Sequence, residues 1–173
     1  MEAWAEPPVV RAGRLRVRPA REGDAALLAA LVGELASFER LSQECTVTAS
    51  ALSRWLFGPP HRVAEAVVLE WDGLPAGFAL FFHTFSTFLA RPTLYLEDLF
   101  VRPAFRRNGI GREALIYLAR LAQARDCGRL EWSVLDWNSP AHEFYLSLGA
   151  RPLEEWTMWR VAGPALARLA GQG

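Results

Sequence analysis

The run Leu94-Tyr95-Leu96-Glu97-Asp98-Leu99-Phe100-Val101 leads through Arg102-Pro103 to Arg106-Arg107-Asn108-Gly109-Ile110-Gly111, and it constrains this chain more than any other stretch. Its first part is apolar and aromatic, and it reads as a buried strand. Inside it stand two adjacent carboxylates, Glu97 and Asp98. Charge in an apolar strand must be paired, hydrated or put to use. The second part reads as a Gly-rich turn opening a helix. A helix N-terminus leaves backbone N–H groups unpaired and carries partial positive charge. Glycines let an anion approach that backbone, and flanking arginines add fixed charge. An ordinary helix entry with exposed arginines is the plainer reading. Two arginines and two glycines at this spacing favour a phosphate cradle. Arg112 adds to that, since a cation in a first helical turn is unfavourable without an anion nearby.

Upstream, Leu15 and Val17 alternate with Arg16 and Arg18, which predicts a short strand stopped by Pro19. Asp24 is the expected N-cap of a helix bearing Leu27, Leu28, Leu31, Val32, Leu35 and Phe38 at helical spacing. Glu39 and Arg40 close that helix. Thr48 is expected to cap a second, short helix with Leu52, Trp55 and Leu56 on one side. Val63 to Trp71 predicts a strand, Asp72-Gly73 a hairpin turn, and Pro75 to Phe88 a long aromatic strand. Beyond Gly111 a helix is expected to about Arg125, burying Leu115, Leu118, Ala119 and Ala122, with Gly128 as its left-handed cap. Leu130 to Leu135 predicts a strand. Pro140 opens a helix with Phe144, Tyr145 and Leu148 that ends at Gly149. Glu155 to Val161 predicts a last strand, and Pro164 to Ala170 a tail helix. Met1 to Gly13 has no period and predicts a loose arm. There is no internal repeat or linker, so residues 1–173 are expected to form a single α+β domain with a mixed sheet.

Composition enters mainly through what it excludes. The formal net charge is zero, so nothing draws this chain in bulk to nucleic acid or to an anionic membrane. The longest apolar run, Phe78 to Leu89, is broken by His83, Thr84, Ser86 and Thr87 and is too short to span a bilayer. Nothing at the N-terminus reads as a signal peptide. Cys45 and Cys127 stand alone, without a second ligand at metal spacing. No metal is therefore expected, and a reducing, cytoplasmic setting is.

Four ordered pieces carry a family resemblance: Val101-Arg102-Pro103, the Arg106–Gly111 turn, Asn138, and Phe144-Tyr145 followed by Gly149-Ala150. Together they resemble the GNAT acetyltransferases. Leu94 to Val101, Trp137-Asn138-Ser139-Pro140, and Glu34-Leu35-Ala36 leading to Phe38-Glu39 look most like the diamine (spermidine/spermine) acetyltransferase branch. The resemblance spans roughly Leu15 to Val161. It implies a central sheet splayed between two strands, with acetyl-CoA entering the splay as co-substrate. The pyrophosphate would sit on Arg106, Arg107, Asn108, Gly109, Ile110, Gly111 and Arg112. The pantetheine arm would pair with the strand at Leu99, Phe100 and Val101. A β-bulge near Glu97 and Asp98 is implied too, breaking strict alternation there. The branch implies a homodimer. The chain contains no lysine, so it offers an acyl donor no side-chain amine of its own.

The same resemblance assigns roles. Tyr145 would protonate the leaving CoA thiolate, as a tyrosine within hydrogen-bond reach can. The other reading of Tyr145 is a core aromatic beside Phe144. Glu97 would act as base through water, because an amine near pKa 10.4 arrives protonated. It could equally be an ion-pair partner only. Asp98 points to the opposite face if the strand is regular, which suits substrate binding or structure. Glu39 would anchor the amine, or be a solvated carboxylate. Asn138 would hold the pantetheine arm, or cap the helix before Pro140. Where polyamine enzymes are rich in acid and tyrosine, this chain has Phe38 and then Arg40-Leu41-Ser42-Gln43-Glu44. A diamine, polyamine or lysine-like amino acid is thus the expected acceptor, attacked directly, since neither cysteine sits in a Cys/His pair. Acetylation of a protein N-terminus or lysine, and a CoA-binding regulatory module, are the alternatives.

Overall fold

A computed structural model describes residues 6–58 and 62–171. The chain falls into two compact units, Met1–Ser133 and Val134–Gly173. In the first, the elements run β1 (Val10–Ala12), β2 (Leu15–Pro19), α1 (Ala25–Phe38), α2 (Ala49–Leu52), β3 (Glu65–Trp71), β4 (Leu74–Ser86), β5 (Arg91–Val101), α3 (Ile110–Ala124) and β6 (Arg129–Trp132). The six strands form one sheet in chain order, antiparallel throughout except for the parallel pair β5–β6. The sheet is mixed and flanked by helices, as expected.

The local chemistry explains most boundaries. Asp72 and Gly73 both take positive φ, at 50° and 80°, the two-residue turn that matches strand twist. The β3–β4 register then slips between Leu69 and Glu70, where Pro75, which lacks an N–H, faces Glu70. Thr48 caps α2 by accepting from the Ala51 N–H at 3.1 Å. Asp24 stands at the N-cap position of α1 but does not cap it; its carboxylate accepts from Arg18 and from the Arg21 N–H.

Two apolar layers cover the sheet. On one face Leu28, Leu31 and Leu35 of α1 pack with Leu56, Val68, Phe78 and Phe100. Burial of each large side chain there contributes about 2 kcal/mol. Val67 and Leu69 alternate with Val68 and face the other side. Helix α3 buries Ile110, Ala114, Leu115, Tyr117, Leu118, Leu121 and Ala122. Ala119, expected in that face, is exposed, because the true stripe turns through Tyr117 and Leu121. The helix ends on Asp126 at φ 52°, not on Gly128. Gly128 instead donates its N–H to Pro92, and a Cβ there would stand 3.0 Å from Leu89. The expected N-terminal arm also differs. Its residues 1–5 lie outside the described residues, but Val10–Ala12 pairs with β2, and the Tyr117 hydroxyl donates to the Pro8 carbonyl.

The second unit holds α4 (Ser139–Ser147) and α5 (Gly163–Ala170). None of its described residues is buried, and all of 151–171 are exposed. The strand expected over Glu155 to Val161 does not form: the segment is irregular and pairs with no strand among the described residues. Alternation makes a strand only when one face is buried and a neighbouring edge accepts its backbone. Trp156 and Trp159 are 73% and 90% exposed, so the first condition is not met.

Candidate active site

The site is organised by one extra residue in β5. Pairing runs Phe78↔Phe100, Ala79↔Leu99, Leu80↔Asp98, then jumps to Phe81↔Leu96, leaving Glu97 without a partner on β4. Paired residues share a face. Leu80 packs against the α1 core, so Asp98 faces α1 as well. Phe81 follows Leu80 on the other face and carries Leu96 with it. The bulge therefore turns the strand over between Leu96 and Asp98. The expected bulge is present, and the alternation fails where it was expected to. The opposite-face placement of Asp98, which assumed a regular strand, does not hold: Glu97 and Asp98 line the same groove.

That groove measures about 360 Å³. Its acidic lining is Glu39, Glu44, Glu97 and Asp98; its apolar lining is Val32, Leu35, Ala36, Leu41 and Cys45. Glu39 is the C-cap of α1, so the helix end delivers it there. An ion pair fixes that helix. The Arg102 guanidinium donates to both Glu34 carboxylate oxygens at 2.9 and 2.6 Å and to the Pro75 carbonyl at 2.8 Å. This clamp joins two motif pieces, Glu34-Leu35-Ala36 and Val101-Arg102-Pro103, whose partnership nothing in the linear sequence signals.

Burial falls on Asp98 rather than on Glu97, which is exposed. Desolvation first, then the charges of Glu97 and Glu39, push the Asp98 carboxyl up to about 6. Burial also raises Glu39. Crowded carboxylates without a basic side chain in the lining make a site that lacks a cation. A protonated amine fits it, and a group titrating near neutrality can take that amine's proton.

The Gly-rich turn lies at the end of β5. Arg107 and Gly109 both take positive φ, 66° and 76°, so successive N–H groups turn inward around α3's N-terminus. No side chain caps that terminus, and a Cβ on Gly109 would meet nothing within 4 Å. Open space before uncapped amides suits a phosphate, so these residues fit the acetyl-CoA that the resemblance implies. Asn108 shapes the turn by donating to the Phe105 and Arg106 carbonyls at 3.1 and 3.3 Å. Ile110 is buried, leaving its backbone for a ligand. Arg112 lies 3.7 Å from Glu113, so a protein carboxylate supplies part of the anion expected beside it. Arg106 donates to the Val101 carbonyl at 2.9 Å while its guanidinium stacks 4.5 Å from the Phe38 ring centre. Leu99 and Val101 are half-buried and Phe100 is in the core. Parallel pairing with β6 stops at Leu96↔Trp132, so Asp98 to Val101 pair with β4 alone. The β6 side of that stretch is the splay.

In the second unit, Asn138 is the N-cap residue of α4, yet its side chain makes no cap bond; its carbonyl accepts from Ala141 and His142. The capping alternative thus loses its hydrogen bond. Tyr145 is half-buried, its ring 5.3 Å from that of Phe144.

Comparisons with known proteins agree with this geometry. The model of the acetyltransferase (GNAT) family matches residues 30–150. The chain is 36% identical over 166 residues to thialysine N-epsilon-acetyltransferase of Bos taurus, covering 90% of this chain and 97% of that one. It is 30% identical to L-ornithine N5-acetyltransferase NATA1 of Arabidopsis thaliana, covering 87% and 86%. Among solved structures, an integron cassette protein of V. cholerae superposes with a TM-score of 0.78 at 23% identity, covering 93% of this chain and all of that one, which shows the fold. By its family match, its relatives and its splayed sheet, this chain is a member of the GNAT family of acetyltransferases.

Proposed function

We propose that this acetyltransferase moves the acetyl group of acetyl-CoA to a side-chain or terminal amine of a small molecule, a lysine-like amino acid or a diamine. The observation that carries this reading is the groove in which the bulge gathers Glu97 and Asp98 beside Glu39. The names of the relatives, which act on thialysine and ornithine, support the amino-acid class. When bound, acetyl-CoA supplies an activated thioester carbonyl.

The chain's own residues do the rest. Glu39 and Glu44 draw the ammonium into the groove. Asp98, with Glu97 on the water side, accepts the proton that the amine must lose before it attacks. The backbone of Leu99 to Val101 holds the pantetheine arm, with Asn138 also on it. Arg106, Arg107 and Arg112, with the amides of Asn108 to Gly111, bind the phosphates. Tyr145 returns a proton to the thiolate; this role rests on its place in the Phe144-Tyr145 motif. The working unit is a cytoplasmic homodimer without nucleic-acid or membrane partners. Among the described residues no helix is long and apolar enough to cross a membrane.

The test is thiol release from acetyl-CoA across ornithine, lysine, thialysine, putrescine, spermidine and a lysine peptide, with Tyr145→Phe run beside the wild type. Turnover with the small amines, and its loss in Tyr145→Phe with CoA affinity kept, is the expected result. Turnover confined to the peptide would replace this reading with protein acetylation. CoA binding without turnover on any amine would leave only a binding module.

A further inference from the structure

The end of α1 has two working faces. Val32, Leu35, Ala36 and Glu39, spaced i, i+3, i+4 and i+7, form the face that lines the acceptor groove. Glu34 and Phe38, spaced i, i+4, form another. Each of these two is held by an arginine from the segment that leads into the Gly-rich turn. Arg102 clamps the Glu34 carboxylate. Arg106 sets its guanidinium 4.5 Å from the Phe38 ring centre and 5.9 Å from that of Phe100. Its Nε donates to the Val101 carbonyl at 2.9 Å. Among the described residues its Nη groups have no hydrogen-bond partner, and the side chain is exposed at the mouth of the turn. The fold does not need this stack. Leu28, Leu31 and Leu35 already bury α1 in the core, while Phe38 is 38% exposed. A cation over an exposed ring adds little to folding, so its place between the turn and the groove is what needs a reason.

We infer that Arg106 and Phe38 are positioning residues that couple the acetyl-CoA turn to the acceptor groove: a phosphate held by the Arg106 Nη groups fixes its guanidinium, which holds the end of α1 where Glu39 meets the amine. The amine in this statement rests on the proposed function above; the coupling of turn to helix needs only CoA. The guanidinium is planar and rigid, so fixing its Nη edge also fixes the plane that stacks on Phe38. Phe38 is the last residue of α1 and Glu39 its C-cap, tied back by its N–H to the Leu35 carbonyl at 2.9 Å. Helix ends fray, and a strut on the last turn restrains Glu39 with it. The amine therefore binds better once CoA is in place. By linkage, the amine tightens CoA by the same factor. One exposed stack can transmit about twofold to tenfold.

Amide hydrogen exchange with and without CoA tests the coupling before any amine is added. In the wild type CoA should slow exchange at the turn, Asn108 to Gly111, and also at the end of α1, Leu35 to Leu41. Phe38→Leu should keep the first effect and lose the second, and Phe38→Tyr, which keeps a ring, should restore it. Phe38→Leu should melt close to the wild type, because the ring is 38% exposed. Calorimetry then reads the coupling as affinity. For the amine turned over best in the thiol-release set, CoA should lower its Kd about twofold to tenfold in the wild type and leave it nearly unchanged in Phe38→Leu. CoA binding without amine should be about equal in the two proteins. Equal protection of the end of α1 in both, or equal tightening of the amine in both, would overturn the inference and leave acetyl transfer to small amines intact. Protection that is lost in Phe38→Leu, with no amine turned over, would uphold the coupling and overturn the proposed substrate.

Discussion

Asp98 sits half-buried beside Glu97 and Glu39, with its carboxyl pushed up to about 6 by burial first and by those two charges second. A raised carboxyl pKa stabilises the fold only while the group is protonated. That contribution is complete below the unfolded value near 4 and is lost as pH rises through about 6. At pH 8 the charged form therefore destabilises the fold, by about 2 kcal/mol once screening of a half-buried group is allowed for. Asp98→Asn should thus be more stable than the wild type at pH 8 by roughly that amount, and equally stable near pH 4. The wild type should show a rise in kcat/KM centred near pH 6, and the same variant should lose that rise together with most of its turnover. Urea titrations at both pH values, paired with a pH–rate profile, check this. A variant that keeps the rise would move the proton acceptor to Glu97. The sequence placed both carboxylates in the site. It could not say which is desolvated, because that depends on which face each occupies.

At the scale of elements, β5 and the turn after it do different work. The strand's bulge was legible as a family expectation, and its consequence became visible only in the pairing: Leu80↔Asp98 next to Phe81↔Leu96 turns Asp98 toward α1. The turn was legible directly, since Gly109 at φ 76° occupies a conformation that other residues adopt with strain. Gly109→Leu should weaken CoA binding by more than tenfold in calorimetry, because its side chain fills the open space before the uncapped amides. It should lower stability by only about 1–2 kcal/mol, since no protein atom lies within 4 Å of the new Cβ. A large loss of stability with CoA binding intact would reverse the assignment of that space. Helix α1 matters through its end. Leu35, Ala36 and Glu39 line the groove because the Glu34–Arg102 clamp fixes the helix against the β5 exit.

Across the whole molecule, the first unit is a sheet covered on both faces, and a buried ion pair joins α3's C-terminus to β3. Arg125, 4% exposed, meets the Glu65 carboxylate at 2.5 and 2.8 Å and stacks 6.0 Å from the Phe81 ring centre. Removing one partner leaves a charge buried, so Glu65→Ala should cost about 3 kcal/mol in urea unfolding. Arg125→Met on that background should recover much of the loss, and no recovery would show that packing rather than charge is responsible. The second unit behaves differently from its sequence pattern. Trp156, Met158 and Trp159 suggested a strand, yet pattern alone cannot create an edge to pair with.

The sequence by itself determined the reaction class. Glycine at a left-handed helix entry, flanking arginines and two carboxylates in an apolar strand are local chemistry, and local chemistry is written residue by residue. The succession of strands and helices followed from periodicity for the same reason. The tertiary structure decided where charges meet. The pairing of Glu34 with Arg102 and the turning of Asp98 into the groove with Glu39 depend on contacts between segments far apart in the chain. Such contacts are set by packing, and packing leaves no period in the sequence.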